Sequence, residues 1–469
     1  MGTRRWMVVV VAAGLGLGLA CHSDTSIGNL ADGGEGVRFD GWRPTSPWAA
    51  GGTSADAARS IALDGAGNIL VAGSFSGTAQ FGGIVLTASH AHESFVAKLD
   101  PQKGFVWAVA AGGTPQPKAQ RLAVDAAGRV TLAASFSGTA SLGAATLHAT
   151  GDEDLLVTRL EPDGRFVWSF AATRTTVLDE GLGLALDSQG SATVAGSFQG
   201  KATFDSVTRT AQGKDDIFVA RLDASGKLLW AVSAGGAAQD NASAVALDAA
   251  GDAYVTGSYG GVATFGGTTL DAASMTCFVT KVDRSGGFLW AAPLAIDELT
   301  SCRDIAIGAG GLALTTGAAC VRVITVAPLE TRCSAFVAQL GSRGQLSSLF
   351  RDTPVAEEGR AGAGIALAGA TSVVTGRLTG SATYGSTHLS SLGAGDIFVA
   401  RIDATGRPVW ATSAGGVGED SGDAVALDAA GNIYVAGAFS RTVQLGLGQL
   451  HAEGETDVFI WKIEGGRAP

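Results

Sequence analysis

The chain of 469 residues is poor in proline, histidine, cysteine and basic residues. It has 11 Pro, 6 His and 5 Cys, and 32 Lys and Arg stand against 43 Asp and Glu, which gives a net charge of −11. This negative charge argues against nucleic acid or an anionic membrane surface as a partner. Outside the first 20 residues no GxSxG elbow, HExxH helix, Walker loop or Rossmann glycine pattern can be assigned. The usual hydrolase, zinc-protease and nucleotide motifs are therefore missing.

Glycine, in contrast, is abundant. The chain has 69 Gly without the G-X-Y period of collagen, and 46% of its residues are hydrophobic. Enough apolar material is present to build a core, so disorder is excluded for most of the length. Many glycines with few prolines indicate numerous tight turns, and therefore many short strands.

The N-terminus reads as a targeting segment. Arg4 and Arg5 precede an apolar run at 6–19, which is too short for a comfortable transmembrane helix. Residues 1–20 are therefore predicted to be a signal peptide and are excluded from the fold.

The end of this segment resembles the lipobox of bacterial lipoproteins, because the small residue Ala20 stands directly before Cys21. The resemblance implies that Cys21 is lipidated and becomes the mature N-terminus. Since His22 rather than Asp follows, it also implies the outer membrane; an ordinary signal peptide cleaved nearby is the alternative. Residues 21–40 are polar and rich in glycine, as in a flexible tether.

A repeat of about 60 residues fills the rest of the chain, 41–469, and has to be interpreted before any single motif. Each repeat contains four short strand candidates bounded by Gly and Asp turns. In the first repeat these candidates are 60–64, 69–75, 95–100 and 105–113. One aromatic residue marks every repeat: Trp48, Trp107, Trp168, Trp230, Trp290, Phe350 and Trp410. Seven four-stranded units predict an all-β, seven-bladed β-propeller.

The chain ends predict how such a ring would close. No strand with the repeated tryptophan follows 459–463 in the last repeat. A spare strand of that kind, 47–52, precedes the first repeat. If these two segments pair, the N-terminal strand completes the last blade and no sheet edge stays open.

The repeat resembles a known family. Its pattern GG…D…IALD..GN.YVAG……D.FVA.LD..G..VW is similar to the bacterial seven-bladed propeller repeat (SBBP repeat), especially to Gly-rich surface lipoproteins that carry an SGTA-x-FG insert. That insert appears here as SGTAQFGG (76–83), SGTASLGA (137–144) and GSATYGS (380–386). The resemblance covers about residues 48–464. It implies a cell-surface propeller and transfers no activity.

Two sets of acids recur in the long loops, on the face where propellers usually bind ligands. Such loop carboxylates can accept amide hydrogen bonds and hold the turns, or they can form a ring that binds a cation, an amine-bearing sugar or a peptide. The first set lies nearer the innermost strand and is the better ligand candidate: Asp56, Asp179, Asp240, Glu358 and Asp420. The second set precedes the third strand: Glu93, Asp154, Asp216, Asp396 and Asp457.

Four cysteines remain after Cys21: Cys277, Cys302, Cys320 and Cys333. In an exported protein an even, local set of cysteines predicts disulfides. Three pairings are possible, and we favour Cys320–Cys333 within the fifth repeat with Cys277–Cys302 between the fourth and fifth. A four-cysteine zinc site is disfavoured because no C-x-x-C pair exists.

These observations predict an envelope-anchored, monomeric scaffold that binds a protein or glycan through the long-loop face and meets the membrane only through its lipid. A binding role is favoured over catalysis. One alternative is structural cation binding by the loop acids, with Ca²⁺ as the only cofactor considered. The other is a lyase or hydrolase at the central channel mouth. The residues there that break the repeat are Arg303, Asp304, Glu357, Glu358 and Arg360.

Overall fold

The fold is all-β, as the sequence predicts. It is seen in a computed structural model that describes residues 43–114, 120–151, 153–174, 182–323, 330–352, 361–369 and 371–465. All of them belong to one compact unit, Phe39–Pro469. A single short 3₁₀ helix, Ala309–Gly311, interrupts the strands of this part of the chain. No helix in it is long and apolar enough to cross a membrane. The predicted signal peptide, Cys21 and the tether lie outside the described residues.

Four antiparallel strands make up each repeat, and they pair in the order first, second, third, fourth in a propeller-like unit. The first strands are Ala57–Leu63, Gln120–Val124, Leu182–Leu186, Asp240–Leu247, Leu299–Ile307, Ala361–Ala368 and Ser421–Leu427. The second strands are Ile69–Phe75, Val130–Phe136, Ala192–Phe204, Ala253–Phe265, Ala313–Val323, Thr371–Leu378 and Ile433–Phe439. The third strands are His92–Asp100, Asp154–Leu160, Val207–Leu222, Thr268–Val282, Glu330–Leu340, Asp396–Ile402 and Asp457–Glu464. The fourth strands are Gly104–Thr114, Phe166–Arg174, Leu228–Gly236, Phe288–Leu294, Leu346–Arg351, Pro408–Gly416 and, before the first repeat, Trp48–Gly52.

Segments with Asp at the first and Gly at the fourth position (D-x-x-G), such as Asp64–Gly67, form tight turns between first and second strands. In the first repeat the Gly67 amide donates to the Asp64 carbonyl (3.0 Å), while Asp64 Oδ1 accepts the amides of Ala66 and Asn68 at 3.0 and 2.9 Å. Gly67 takes a φ of +82°, which only glycine adopts easily. Asp64 also pairs with Lys98 at 2.9 Å. These aspartates therefore hold the turns through their hydrogen bonds.

The SGTA-x-FG inserts form two-stranded hairpins. In the first repeat Thr78–Phe81 pairs with Ile84–Thr87. Its alternating pattern buries Ala79 and Phe81, and the Phe81 ring lies 4.8 Å from that of Phe95. Other such hairpins are Thr139–Leu142 with Ala145–His148, Ser381–Tyr384 with Thr387–Ser390, and Thr442–Leu445 with Gly448–His451. In the third and fourth repeats the long second and third strands include the hairpin.

These hairpins also connect neighbouring repeats. The end of one repeat's fourth strand pairs with the next hairpin, as in Gly235 with Thr264 and Gly415 with Gln444. At such junctions one fourth strand belongs to two units, which ties that repeat to its successor through backbone hydrogen bonds.

The repeated tryptophan packs between adjacent repeats. Nε1 of Trp107 donates to the Pro162 carbonyl of the next repeat (2.9 Å), and Trp168 bonds in the same way to Ala224 (3.0 Å). A Cβ on the turn residue Gly164 would stand 2.9 Å from the Trp107 ring, so this contact needs glycine. One tryptophan per repeat is therefore a packing device.

The N-terminal strand Trp48–Gly52 pairs with the last strand, Asp457–Glu464. Trp48, Ala49 and Ala50 stand opposite Ile460, Phe459 and Val458 in antiparallel register. The short strand Arg43–Pro44 pairs with the same last strand. The first strand of the first repeat lies against that of the seventh, and Arg59 Nη1 bonds Asp423 Oδ2 at 2.6 Å.

Candidate functional site

The three described acids of the first set are buried and bind backbone amides in one repeated pattern. One carboxylate oxygen accepts the amide of the glycine four residues earlier: Gly52 to Asp56 at 2.8 Å, Gly236 to Asp240 at 2.7 Å and Gly416 to Asp420 at 2.8 Å. The other oxygen accepts the amide twenty residues later: Ser76 at 3.1 Å, Gly260 at 3.2 Å and Ser440 at 3.1 Å. Each acid therefore joins the loop that follows a fourth strand to the end of the next second strand.

Burial changes the acidity of these groups. Burial raises the pKa of Asp56 to about 7 and the pKa values of Asp240 and Asp420 to about 6. The hydrogen bonds from backbone amides lower these pKa values, but their effect is smaller than that of burial. A nearby acid of the second set also raises each of the three pKa values.

The second set follows a related pattern. Oδ2 of Asp216, Asp396 and Asp457 accepts the amide of the residue four positions earlier, at 3.1, 3.0 and 2.9 Å. Glu93 and Asp154 accept the amides of Ser89 and Thr150 in the same way, both at 2.9 Å. The second-set acids therefore hold the loop that precedes each third strand.

The structure brings the two sets together across neighbouring repeats. Asp56 lies beside Asp457 (the first pair), Asp240 beside Asp216 (the second pair) and Asp420 beside Asp396 (the third pair). Burial raises the pKa of the second-set member in all three pairs as well. The pairing cannot be read from the sequence, where the two sets stand in separate loops.

The remaining first-set residues and several repeat-breaking candidates lie outside the described part of the chain: Asp179, Glu357, Glu358 and Arg360. Of the other two candidates, Arg303 is exposed, and the Asp304 carboxylate accepts the amides of Ile305 (3.0 Å) and Ile365 (2.9 Å). In the same manner the Ser60 hydroxyl accepts the amide of Leu122 in the following repeat (3.0 Å). Asp304 thus connects adjacent first strands.

Charged side chains also meet on the first strands, which the sequence analysis did not anticipate. Arg121 Nη1 donates to the Arg59 carbonyl at 3.1 Å, and Arg59 itself pairs with Asp423. Desolvation raises the pKa of Asp304, while the positive charge of Arg121 lowers it. The signal was present in the sequence, because other repeats have the small residues Gly183, Ala244 and Ala424 at the position of Arg121 and Asp304.

Both predicted disulfides are formed. Cys277–Cys302 links the third strand of the fourth repeat to the first strand of the fifth, and Cys320–Cys333 links the second and third strands of the fifth. Among the residues that the structure describes, no three His, Cys, Asp or Glu side chains are grouped to hold a metal ion.

Two exposed apolar side chains lie on neighbouring loops of the long-loop face. Leu392 is 75% exposed and Val417 66% exposed. The loops are bonded to each other, because the Ala394 amide donates to the Gly418 carbonyl (3.1 Å) and the Asp420 amide to the Gly395 carbonyl (2.8 Å). The sequence signal was weak, since each is a lone apolar residue in a Gly-rich loop.

Comparisons with known proteins give distant structural likenesses only. No family model matches the chain, and no curated protein matches it. A protein of unknown function from Bacteroides caccae is 12% identical, with 68% of this chain and 89% of that chain covered and a TM-score of 0.34. A luciferin-regenerating enzyme is 9% identical, with coverage of 90% and 96% and a TM-score of 0.35. A mutant apocarotenoid oxygenase from Synechocystis is 11% identical, with coverage of 76% and 71% and a TM-score of 0.35. These scores carry no functional argument.

Proposed function

We propose that this protein is a lipid-anchored binding scaffold of the bacterial outer membrane or cell surface. Its architecture would be a closed seven-bladed propeller of the SBBP-repeat type. Support for closure comes from the pairing of Trp48–Gly52 with Asp457–Glu464. Further support comes from the contact between the first strand of the first repeat and the first strand of the seventh repeat. Support for the anchor comes from the sequence alone, through the apolar run at 6–19 and Cys21.

The ligand of this scaffold is a protein, bound on the long-loop face between the sixth and seventh repeats. The observation that carries this proposal is the exposed pair Leu392 and Val417, which we call the loop patch. Exposed apolar side chains on loops that a rigid framework holds in place are typical of protein contact sites. A polar pair borders the patch: Glu419, which follows Val417 in the same loop, bonds Arg377 at 3.2 Å.

Rigidity supports the same function. The Leu392 amide is held by Asp396, and the Gly416 amide, one residue before Val417, is held by Asp420. Because the backbone of both loops is already ordered, a partner would bind with little additional loss of conformational entropy.

The test is affinity capture from detergent-solubilised envelopes with the full-length protein and a double variant, Leu392→Ser with Val417→Ser. The matched control is Val106→Ser with Leu229→Ser, whose side chains are 51% and 53% exposed but lie on fourth strands. We expect one stoichiometric partner that the control keeps and the loop-patch variant loses, with and without EDTA. A partner that both variants retain would refute the assignment of the patch. A partner lost with EDTA would shift the proposal to cation-dependent binding.

A further inference from the structure

The second-set member of each acid pair has one carboxyl oxygen that the amide bonds leave unsatisfied. Oδ1 of Asp216, Asp396 and Asp457 is buried and has no hydrogen-bond partner among the described residues. All three side chains are more than nine-tenths buried. Buried acceptors without a donor are rare in folded proteins, and a threefold repetition at equivalent positions indicates a shared cause.

In the first and second pairs the unsatisfied oxygen lies beside the first-set carboxylate. A Cβ on Gly51 would stand 2.6 Å from Oδ1 of Asp457 and 3.0 Å from Oδ2 of Asp56. A Cβ on Gly235 would stand 2.8 Å from Oδ1 of Asp216 and 2.9 Å from Oδ2 of Asp240. In both cases the two carboxyl groups flank the same glycine.

Few compensating charges lie near the pairs. The groups that act on the first pair include Glu453, and Asp215 and the Tyr259 hydroxyl lie beside the second; all of these are acidic or neutral. Only the third pair has a described cation nearby, Arg377, which lowers the pKa of Asp420. Two fully ionised carboxylates at each buried site would therefore repel each other with little relief.

We propose that each pair holds one proton between its facing carboxyl oxygens, and that loss of this proton loosens the loops that join adjacent repeats. In the protonated state Oδ1 of the second-set acid carries the hydrogen and donates it to the first-set carboxylate, so the unsatisfied oxygen gains a partner. When base removes the proton to solvent, two negative charges remain side by side.

The loop contacts next to the pairs would weaken first. At the first pair the Asp56 amide donates to the Thr456 carbonyl at 2.8 Å, and Thr456 Oγ1 donates to the Asp56 carbonyl at 3.1 Å. At the third pair the Asp420 amide donates to the Gly395 carbonyl. The raised pKa values at all three pairs agree with a proton that is retained under mildly acidic conditions.

Asparagine at the second-set position tests the proposal, because it imitates the protonated acid. The Asn carbonyl keeps the amide bond that Oδ2 accepts, and its NH₂ group takes the place of the shared hydrogen. We would measure the melting temperature of the wild type and of Asp216→Asn, Asp396→Asn and Asp457→Asn between about pH 4.5 and 8.5, in EDTA at fixed ionic strength. Glu93→Gln is the control, since Glu93 makes the same amide bond and no first-set acid follows it in the second repeat.

The wild type should melt at progressively lower temperature as the pH rises. Each asparagine variant should lose roughly a third of that fall, because it removes one of the three pairs found in the described part of the chain, and the control should keep it all. An equal loss of melting temperature at every pH would overturn the proposal. CaCl₂ added at high pH could also raise the melting temperature of the wild type but not of the asparagine variants. That result would overturn the proposal, because the pairs would then bind a cation.

A second measurement does not depend on the variants folding. Infrared spectra of the wild type at about pH 5.5 should show protonated carboxyl groups, which ordinary aspartates at that pH would not supply. The band should disappear as the pH is raised. Its absence at pH values below the pKa of the first pair would refute the shared proton.

Discussion

Removal of the N-terminal strand is the perturbation that most directly examines how the proposed ring is held together. In the structure Trp48–Gly52 pairs with two elements: its first three residues with Asp457–Glu464, and Gly51 and Gly52 with Gln80 and Ala79 of the first hairpin. Deleting 47–52 removes about five backbone hydrogen bonds, each worth about 1 kcal/mol net. The loss of about 5 kcal/mol is comparable with the whole stability of many domains, 5–15 kcal/mol.

A circular permutant supplies the matched control. The same strand can follow residue 463 through a copy of the turn 403–407, which joins the third and fourth strands of the sixth repeat. We expect the deletion to melt well below the wild type in circular dichroism, or to be recovered only as aggregate, and the permutant to melt close to the wild type. Unchanged melting of the deletion would refute closure through this strand.

Three further predictions concern single elements. Trp168→Phe removes the bond to the Ala224 carbonyl and should cost about 1 kcal/mol in urea unfolding, less than the roughly 2–5 kcal/mol of a Leu→Ala change in the core. Replacing Cys277 and Cys302 by serine should cost about 2–4 kcal/mol, and a reductant should then have a smaller effect than on the wild type. The pKa of Asp56 rises from 3.8 to about 7, so the folded state holds a proton that the unfolded state releases. Stability should therefore fall as the pH rises from about 4 to about 7, and a rise over that range would contradict the assignment.

The sequence predicts this fold well where the repeat itself carries the signal. The Asp64–Gly67 turn, the Trp107 contact with the next repeat and the pairing of the four cysteines all depend on short patterns or on counting. The all-β class and both disulfides are confirmed. Strand order within each repeat follows from chain order, because adjacent strands are joined by short turns.

Features that depend on contacts between distant segments were harder to predict from the sequence. Thr78–Phe81 pairs with Gly51 and Gly52, which precede it in another unit, so the sequence of the segment itself does not show its place in a sheet. The pairing of Asp56 with Asp457 joins opposite ends of the chain. Burial of both carboxyl groups is what changes their acidity, and sequence alone does not report the burial of a loop residue.

The central claim is that a protein partner binds the loop patch. Hydrogen–deuterium exchange of the full-length protein, with and without the captured partner, measures this most directly. We expect protection on binding to be concentrated at 391–395 and 416–420, the segments that carry Leu392 and Val417. Protection confined to the fourth strands around Val106 and Leu229, or to the D-x-x-G turns, would contradict it.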